Sequence, residues 1–153
     1  MKAYVLERSQ KIAAPLEKTF RFFADPGNLT EITPTWLNFQ IVKVDGLPLR
    51  AGSEFKYRIR WLGMPRAWRA LITEFEPPRR FVDVQVKGPY RLWRHEHTFE
   101  DVDGKTLMRD RVEYEVPCGL VGRIVHWALV SRQLRQIFDY RAAMIRKIFP
   151  SES

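Results

Sequence analysis

Two histidines and an aspartate are placed where a β-hairpin would bring their side chains together. His95 and His97 lie two residues apart, and Asp110 follows beyond the pair Asp103-Gly104, which is the strongest short signal for a two-residue hairpin turn. With that turn, His97 faces Asp110 across the hairpin, and His95 lies on the same face. An imidazole beside a carboxylate can orient the polar end of a ligand or serve as a general base.

The same register sorts the other side chains of the hairpin. On the outer face it pairs Glu96 with Arg111 and Arg94 with Glu113, opposite charges that a solvated ladder favours. The histidine face is otherwise apolar and carries Trp93, Phe99, Met108, Val112 and Tyr114. Because a buried ionisable group costs several kcal/mol unless it is paired or hydrated, this face is either a satisfied core or the wall of a pocket. Three polar groups beside two large aromatics favour the pocket.

The elements before the hairpin begin with a strand and two short helices. The first strand is predicted at residues 4–13. Pro15 suits the start of a helix whose apolar stripe is Leu16, Phe20 and Phe23. The Asp25-Pro26-Gly27 sequence ends that helix, and residues 28–33 predict a second one before Pro34.

Alternation and turn residues predict four strands before the hairpin, at residues 37–44, 53–62, 67–75 and 81–86, with turns at 45–48 and 63–65 and a break at Pro77-Pro78. In the second of these, Phe55, Tyr57, Ile59 and Trp61 point inward. The facing of the third is ambiguous, because Trp68, Ala70 and Ile72 compete with Leu71, Thr73 and Phe75.

The fourth strand is predicted to join the hairpin through a three-residue connection. Since proline in Gly88-Pro89 argues against a two-residue turn, Val86 is expected opposite Tyr90. That register places Asp83 beside Trp93 and Phe81 beside His95, on the interior face.

Periodicity predicts a long helix after Gly119, ending near Phe149. Its inner stripe is predicted as Leu120, Ile124, Trp127, Val130, Leu134, Ile137, Phe138, Ala142, Ile145 and Ile148. Basic residues lie elsewhere around the helix, which we interpret as docked on the domain rather than bound to a membrane. The element order predicts an α+β domain over residues 1–150, in which a curved antiparallel sheet of about seven strands wraps this helix. Residues 151–153 are expected to be a frayed tail.

Composition narrows the class of protein. Of the 153 residues, 45% are hydrophobic and 13% aromatic, which excludes a disordered chain. A single cysteine, no signal-peptide pattern and no run of about 18 apolar residues predict a cytoplasmic protein with no membrane span. The net charge of +8 is spread along the chain, so no nucleic-acid partner is expected. A monomer or a weak homodimer is expected.

Several sequence motifs are spread along almost the whole chain: residues 12–17 (IAAPLE), Trp68, 80–85 (RFVDVQ), 88–90 (GPY), 93–99 (WRHEHTF) and 110–114 (DRVEY). On these motifs the chain resembles the proteins of the START-like superfamily, also called SRPBCC, which have the helix-grip fold. The chain resembles polyketide cyclase/dehydrase-like members and, more closely, bacterial ligand-binding SRPBCC proteins. The resemblance implies a deep apolar pocket between sheet and helix, approached by Asp83, Gln85, Trp93, His95, His97 and Asp110.

The leading hypothesis is binding of a small hydrophobic ligand of the lipid, quinone or polyketide class, with transport or sequestration as its purpose. Its predicted contacts are Tyr57, Trp61, Trp68, Phe81, Asp83, Gln85, Trp93, His95, His97, Asp110, Tyr114 and Trp127. The alternative is a cyclase or dehydratase, a lyase or isomerase without metal, in which His97 is the base and Asp110 orients it, with Tyr114 or His95 as acid. No confident catalytic residue is assigned.

Two further functions are considered. His95, His97 and Asp110 superficially form a two-histidine, one-carboxylate metal set, but i, i+2 histidine pairs arise easily on strands, so no metal and no cofactor is expected. The basic surface could instead associate with ribosomes or membranes, which a steep salt dependence of RNA or liposome binding would support.

Overall fold

A computed structural model describes residues 3–151 of the chain. The seven strands are β1 Tyr4–Ile12, β2 Gln40–Asp45, β3 Glu54–Trp61, β4 Met64–Glu76, β5 Arg80–Lys87, β6 Leu92–Val102 and β7 Lys105–Glu115. The helices are α1 Leu16–Phe23, α2 Gly119–Val125 and α3 Ser131–Ile148. A π-helical turn, His126–Val130, joins α2 to α3, so that the last two helices form one continuous rod of 30 residues.

The strands form one antiparallel sheet in the order β1-β7-β6-β5-β4-β3-β2. Apart from β1, which pairs with β7, each strand is bonded to its neighbour in the chain, as expected of a meander. The sheet is open and curved, and the long C-terminal helix lies against it. The predicted α+β helix-grip architecture is therefore confirmed.

The hairpin register predicted around Asp103-Gly104 is confirmed. Both residues have positive φ, 54° and 81°, as a type I′ turn requires. His97 faces Asp110 and Trp93 faces Tyr114. A turn fixed by two residues therefore determines which side chains of β6 and β7 share the interior face.

The predicted register between β5 and β6 is wrong by two residues. Phe81 faces His97 rather than His95, and Asp83 faces His95 rather than Trp93. The connection is longer than three residues because the Gln85 side chain closes it: its Nε2 donates to the Tyr90 carbonyl at 2.7 Å, and its Oε1 accepts from the Tyr90 amide at 3.1 Å. A shift of two residues keeps the same face inward.

Several predicted boundaries also change. In place of a second helix at residues 28–33, the chain makes two single 3₁₀ turns, Pro26–Leu29 and Thr35–Leu37. The next strand begins at Gln40 rather than at residue 37. The turn predicted at residues 63–65 is instead formed by Leu62 and Gly63, both of positive φ.

The interior face of the sheet is lined by large apolar side chains. On β4 the ambiguity is resolved in favour of Trp68, Ala70 and Ile72, which are buried. From α1, Phe20 packs against Phe99 with ring centroids 5.2 Å apart. Burial of these side chains supplies the main stabilising term of the fold, about 1.5–3 kcal/mol for each large one.

The inner stripe of the long helix is only half as predicted. In α3, Leu134, Phe138 and Ile145 are buried as expected. Towards the N-terminus, Leu120, Ile124 and Trp127 are exposed, Trp127 to 81% of its surface. The side that faces the protein there carries Gly122 and His126, which were not predicted, followed four residues later by Val130, which is buried as predicted.

Small and polar residues hold this first part of the helix in place. A Cβ on Gly122 would lie 2.0 Å from the Pro117 carbonyl oxygen, so only glycine permits this approach. The His126 ring stacks on Tyr4 at 3.5 Å, and its Nε2 is 2.7 Å from the Tyr114 hydroxyl. The hydrophobic pattern alone could not predict a contact stripe made of glycine and histidine.

None of the helices within residues 3–151 combines the length and the apolar character that a membrane crossing requires. Of the predicted tail, residue 151 follows the final helix without regular structure, and residues 152–153 lie outside the described part of the chain.

Candidate functional site

A cavity of about 190 Å³ lies between the concave face of the sheet and the helices α1 and α3. Eight of the predicted ligand contacts line it: Tyr57, Trp61, Trp68, Phe81, Asp83, Trp93, His95 and His97. From α3 come Leu134, Ile137, Phe138 and Arg141. Alternation along β3 to β6 directs these sheet residues to one side, so strands and helix together enclose the space.

Aromatic rings form most of the wall. Tyr57 and Trp68 are stacked, with ring centroids 5.7 Å apart and an interplanar angle of 16°. Trp93 meets Trp68 edge-on at 5.2 Å, and Tyr90 lies 4.8 Å from Trp93. These contacts hold the rings in fixed orientations, so the wall is preformed and apolar.

Four polar side chains form a connected cluster, of which Asp83, His95 and His97 line the cavity. His97 Nε2 lies 2.8 Å from Asp83 Oδ2, and His95 Nε2 lies 2.7 Å from Asp110 Oδ1. The predicted His97–Asp110 hydrogen bond is not the one formed: His97 Nδ1 approaches Asp110 Oδ1 to 3.2 Å but is not aligned for a hydrogen bond. The two-residue shift of β5 explains the exchange, because it brings Asp83 to His97.

The two imidazoles are stacked on each other. Their ring centroids are 3.7 Å apart, and Phe81 stacks on the other side of His97 at 4.2 Å. The i, i+2 spacing on β6 produces this stack, because it places both rings on one face of the strand. Stacking leaves the ring edges, with their nitrogen atoms, as the polar contacts of the cluster.

The cluster shifts the pKa values of its two histidines in opposite directions. Burial lowers the pKa of His95, and the neighbouring His97 lowers it further. Burial also opposes a charge on His97, but the carboxylates of Asp110 and Asp83 outweigh it and raise the pKa of His97 above 6.5. His97 is therefore the ring that takes up a proton more readily, and the Nε2–H of His95 donates to the Asp110 carboxylate.

Both aspartates are ionised in this arrangement. Burial by itself would raise the pKa of Asp110, but the positive charge of Arg141, the hydrogen bond from His95 and the contact with His97 hold it well below 3.8. Burial would also raise the pKa of Asp83, but the hydrogen bond from His97 and the nearby positive charges outweigh it and lower that pKa. Each carboxylate is thus held in its charged form by a histidine and by Arg141.

Arg141 is a cavity residue that the sequence analysis missed. Its guanidinium lies over the rings of Phe23 and Phe138, at 5.4 Å and 5.7 Å. Among the described residues, its Nε and Nη2 are buried without a hydrogen-bond partner. The available signal was its position: Arg141 follows Leu134 by seven residues and precedes Ile145 by four, so it lies on the buried stripe of α3.

Four predicted contacts do not line the cavity. Gln85 is used in the β5–β6 loop, and Asp110 lies behind the histidines that it contacts. The Tyr114 hydroxyl points to His126, away from the cluster, which leaves it badly placed as an acid. Trp127 is on the outer side of the helix, so the prediction that it faces inward is wrong.

The structure also brings together three potential metal ligands, which are not the same three that were considered from the sequence. Donor atoms of Asp83, His95 and His97 lie within 4.8 Å of one another. In the described structure the Asp83 and His97 atoms are already hydrogen-bonded at 2.8 Å, and the Arg141 charge acts on the same aspartate. Both features oppose a cation at this position, so the absence of a metal stays our prediction.

Solved structures share this architecture. The chain aligns with CV1439 from Chromobacterium violaceum at a TM-score of 0.71 and 16% identity, covering 97% of this chain and 99% of that one. TTHA0849 from Thermus thermophilus gives 0.70 and 13%, with 94% and 95% covered. A START superfamily protein from Mycobacterium smegmatis gives 0.67 and 13%, with 94% and 98% covered. At such identities the likeness shows the fold alone.

Sequence comparison identifies the family. No curated protein sequence matches the chain. The family described as polyketide cyclase / dehydrase and lipid transport matches residues 12–140, from the last residue of β1 to the middle of α3, which takes in every residue of the histidine–aspartate cluster. The chain therefore belongs to the polyketide cyclase/dehydrase and lipid transport family, within the SRPBCC or START-like fold.

Proposed function

We propose that this protein binds a small hydrophobic molecule with a hydrogen-bond-accepting end in the cavity between the sheet and α3. Membership of the family supports binding of a hydrophobic ligand in general terms. Aromatic side chains would remove its apolar body from water, at about 25 cal/mol per Å². The polar cluster and Arg141 would orient its oxygen atoms.

One observation carries this proposal: the apolar cavity contains buried donors without acceptors. Among the described residues, Arg141 Nε and Nη2 and Trp68 Nε1 have no hydrogen-bond partner. A buried donor left unsatisfied costs about 1–3 kcal/mol. Both side chains line the cavity, so a ligand with acceptor oxygens would satisfy them, whereas a pure hydrocarbon would not.

The charge of the cluster favours a neutral acceptor. The two aspartates, whose pKa values are lowered, offset the positive charge of Arg141, so the site offers little net positive charge to a carboxylate. The volume of about 190 Å³ is below the roughly 300–1,000 Å³ of drug-sized pockets. It exceeds the roughly 150 Å³ of an engineered cavity that binds benzene. We therefore propose a ring-sized ketone or quinone group as the part of the ligand that enters.

A matched pair of ligands tests the proposal. Acetophenone and ethylbenzene have nearly the same shape, but only the ketone accepts hydrogen bonds. We expect acetophenone to bind more tightly, by roughly tenfold or more, because a hydrogen bond to a charged donor contributes about 1.5–3 kcal/mol. Isothermal titration calorimetry measures the ratio, and native mass spectrometry of freshly purified protein shows any ligand retained from cells.

Two variants locate the site. Arg141→Met keeps the length of the side chain and its packing, and it should abolish the preference for the ketone while leaving ethylbenzene binding unchanged. Trp93→Ala should weaken the binding of both compounds. Arg146→Met, on the exposed side of the same helix, is the control. Equal affinity for the two compounds in the wild type, or an unchanged preference in Arg141→Met, would contradict the proposal.

An acid-base enzyme is the second candidate, because a buried histidine with a raised pKa, His97, lines the cavity. With its pKa raised, His97 is better suited to donate a proton to a substrate oxygen than to act as the base first considered. His97→Asn should then abolish turnover of a cyclisable or dehydratable polyketone while retaining its binding. Binding with no chemical change in the wild type, monitored by mass spectrometry, would rule out this candidate for that substrate.

The remaining aspects of function are also proposals. A single cysteine and the absence of a disulfide agree with a role in the cytoplasm. Transport or sequestration of the bound compound would follow from enclosing it, since a ligand between sheet and helix is shielded from water.

A further inference from the structure

The first part of the long helix exposes an unusual amount of apolar surface. We call residues 119–130 the exposed apolar segment. Five of its large side chains are between 52% and 81% exposed: Leu120, Val121, Ile124, Trp127 and Leu129. Single apolar residues on a surface are ordinary, but a contiguous patch of this kind marks an interaction site.

The segment is held in this orientation by its inner side. Gly122 packs against the Pro117 carbonyl, His126 contacts Tyr4 and Tyr114, and Val130 is 1% exposed. Turning the helix to bury Trp127 would break all of these contacts. The outward apolar side is therefore a property of the folded protein.

Positive charge surrounds the segment. The sequence has no Asp or Glu from residue 117 to residue 138, while Arg123 and Arg132 are exposed. Beside the segment, a groove of about 720 Å³ has Arg66 and Lys87 in its lining, next to Val121. In the described part of the chain none of these four cations forms an ion pair, so they are available to an anionic partner.

We propose that the exposed apolar segment docks on the surface of an anionic lipid bilayer. The apolar side chains would enter the boundary between headgroups and acyl chains, where tryptophan is favoured. The surrounding Arg and Lys side chains would contact the lipid phosphates, each adding electrostatic attraction. The helix would lie in the plane of the surface and would not cross the membrane.

Charge distinguishes the bilayer from other partners. A dimer formed through this segment would bring Arg123 and Arg132 against the same residues of a second copy, in a chain of net charge +8. A nucleic acid would satisfy the cations but would leave the five apolar side chains in water. Only an anionic surface with an apolar interior matches both features.

Docking at this place would also bring the membrane close to the cavity wall. Trp61 and Tyr90 line both the groove beside the segment and the proposed ligand cavity. The docking surface does not depend on the ligand, however, and it is tested without one.

Vesicle flotation with the full-length protein tests this proposal. We expect binding to vesicles of equal parts phosphatidylcholine and phosphatidylglycerol, weakening steeply as salt is added, and at least tenfold weaker binding to pure phosphatidylcholine. Ile124→Ser should weaken binding to the anionic vesicles by roughly tenfold, because a large apolar side chain no longer enters the bilayer. Trp127→Ser should have a similar effect.

Matched controls separate docking from folding. Val42→Ser, on β2, alters an apolar side chain that is 56% exposed outside the segment and should leave vesicle binding unchanged. Arg141→Met, in the cavity, should also bind vesicles normally, which keeps this test independent of the ligand. No flotation, equal flotation with both vesicle types, or full binding by Ile124→Ser and Trp127→Ser would overturn the proposal. A dimer that is lost in these two variants would assign the segment to self-association instead.

Discussion

At the scale of single residues, the site is defined by which carboxylate each histidine contacts. His97 contacts Asp83 and His95 contacts Asp110, so each imidazole has its own anion within 2.8 Å. Arg141 supplies a further charge from the helix. Positive charge on both stacked imidazoles is disfavoured at a centroid separation of 3.7 Å, so a proton on His97 lowers the pKa of His95.

The two rings should therefore titrate on opposite sides of the ordinary histidine value. We expect the pKa of His97 above 6.5 and that of His95 below 6.5. NMR titration of the imidazole carbon and nitrogen signals measures both, with His97→Gln used to assign the resonances. In Asp83→Asn the pKa of His97 should fall, since one of its two carboxylates is lost. Two coincident titrations near 6.5 would contradict the asymmetric cluster.

At the scale of elements, the long helix has a docked part and an undocked part. In α3, leucine and phenylalanine face the cavity, and Gln10 from β1 donates a hydrogen bond to the Ala142 carbonyl at 2.9 Å. In α2, the contact with the rest of the protein is possible because residue 122 is a glycine, which has no Cβ. The placement of the exposed apolar segment thus follows from one glycine at a backbone contact.

Gly122→Ala should destabilise the protein although alanine favours helix formation. The new Cβ would meet the Pro117 carbonyl oxygen at 2.0 Å, and a backbone atom cannot move aside as a side chain can. We expect a loss of about 1–3 kcal/mol in the free energy of unfolding, the usual cost of overpacking. Urea unfolding measures it.

Arg123→Ala, at the neighbouring exposed position, is the control and should stay within about 0.5 kcal/mol of the wild type. Hydrogen exchange in Gly122→Ala should increase within residues 119–130 more than in α3. A variant as stable as the wild type would show that the helix reaches its position without the close contact.

At the scale of the whole molecule, the buried charges couple the site to folding stability. The pKa values of Asp83 and Asp110 are lower in the folded than in the unfolded chain, so each contributes stability above its unfolded value of about 3.9 that is lost as the pH falls further. The raised pKa of His97 acts in the other direction: its contribution is complete below about 6.5 and is lost as the pH rises through the folded value. The lowered pKa of His95 opposes it in the region below 6.5.

Asp110→Asn tests this coupling. Near neutral pH we expect a loss of about 1.5–3 kcal/mol, since a buried charged hydrogen bond is removed. The gap to the wild type should narrow progressively below about pH 4, where the unfolded wild type binds a proton at Asp110 that the folded protein binds only at lower pH. Urea unfolding across the pH range measures both curves. Asp139→Asn, which removes an exposed surface pair with Arg8, should cost no more than about 1 kcal/mol at any pH. A gap independent of pH would contradict the assignment of a low pKa to Asp110.

Features that depend only on residues close together in the chain could be predicted from the amino-acid sequence. Asp103-Gly104 fixes the hairpin, because its turn geometry is local, and the period of two then places His95, His97 and Asp110 on one face. The inward residues of β3 follow from the same alternation. Motifs spread along the chain were enough to identify the helix-grip fold.

Which side chains of different strands and helices contact one another became clear only from the folded structure. The partner of each histidine depends on a loop that Gln85 closes, and the loop shifts β5 by two residues without changing its inward face. Arg141 enters the cavity because α3 packs over it, and the segment with Trp127 faces outward because Gly122 permits a closer contact than any apolar side chain. These features depend on contacts between distant parts of the chain. Hydrophobic periodicity within one element carries no information about such contacts.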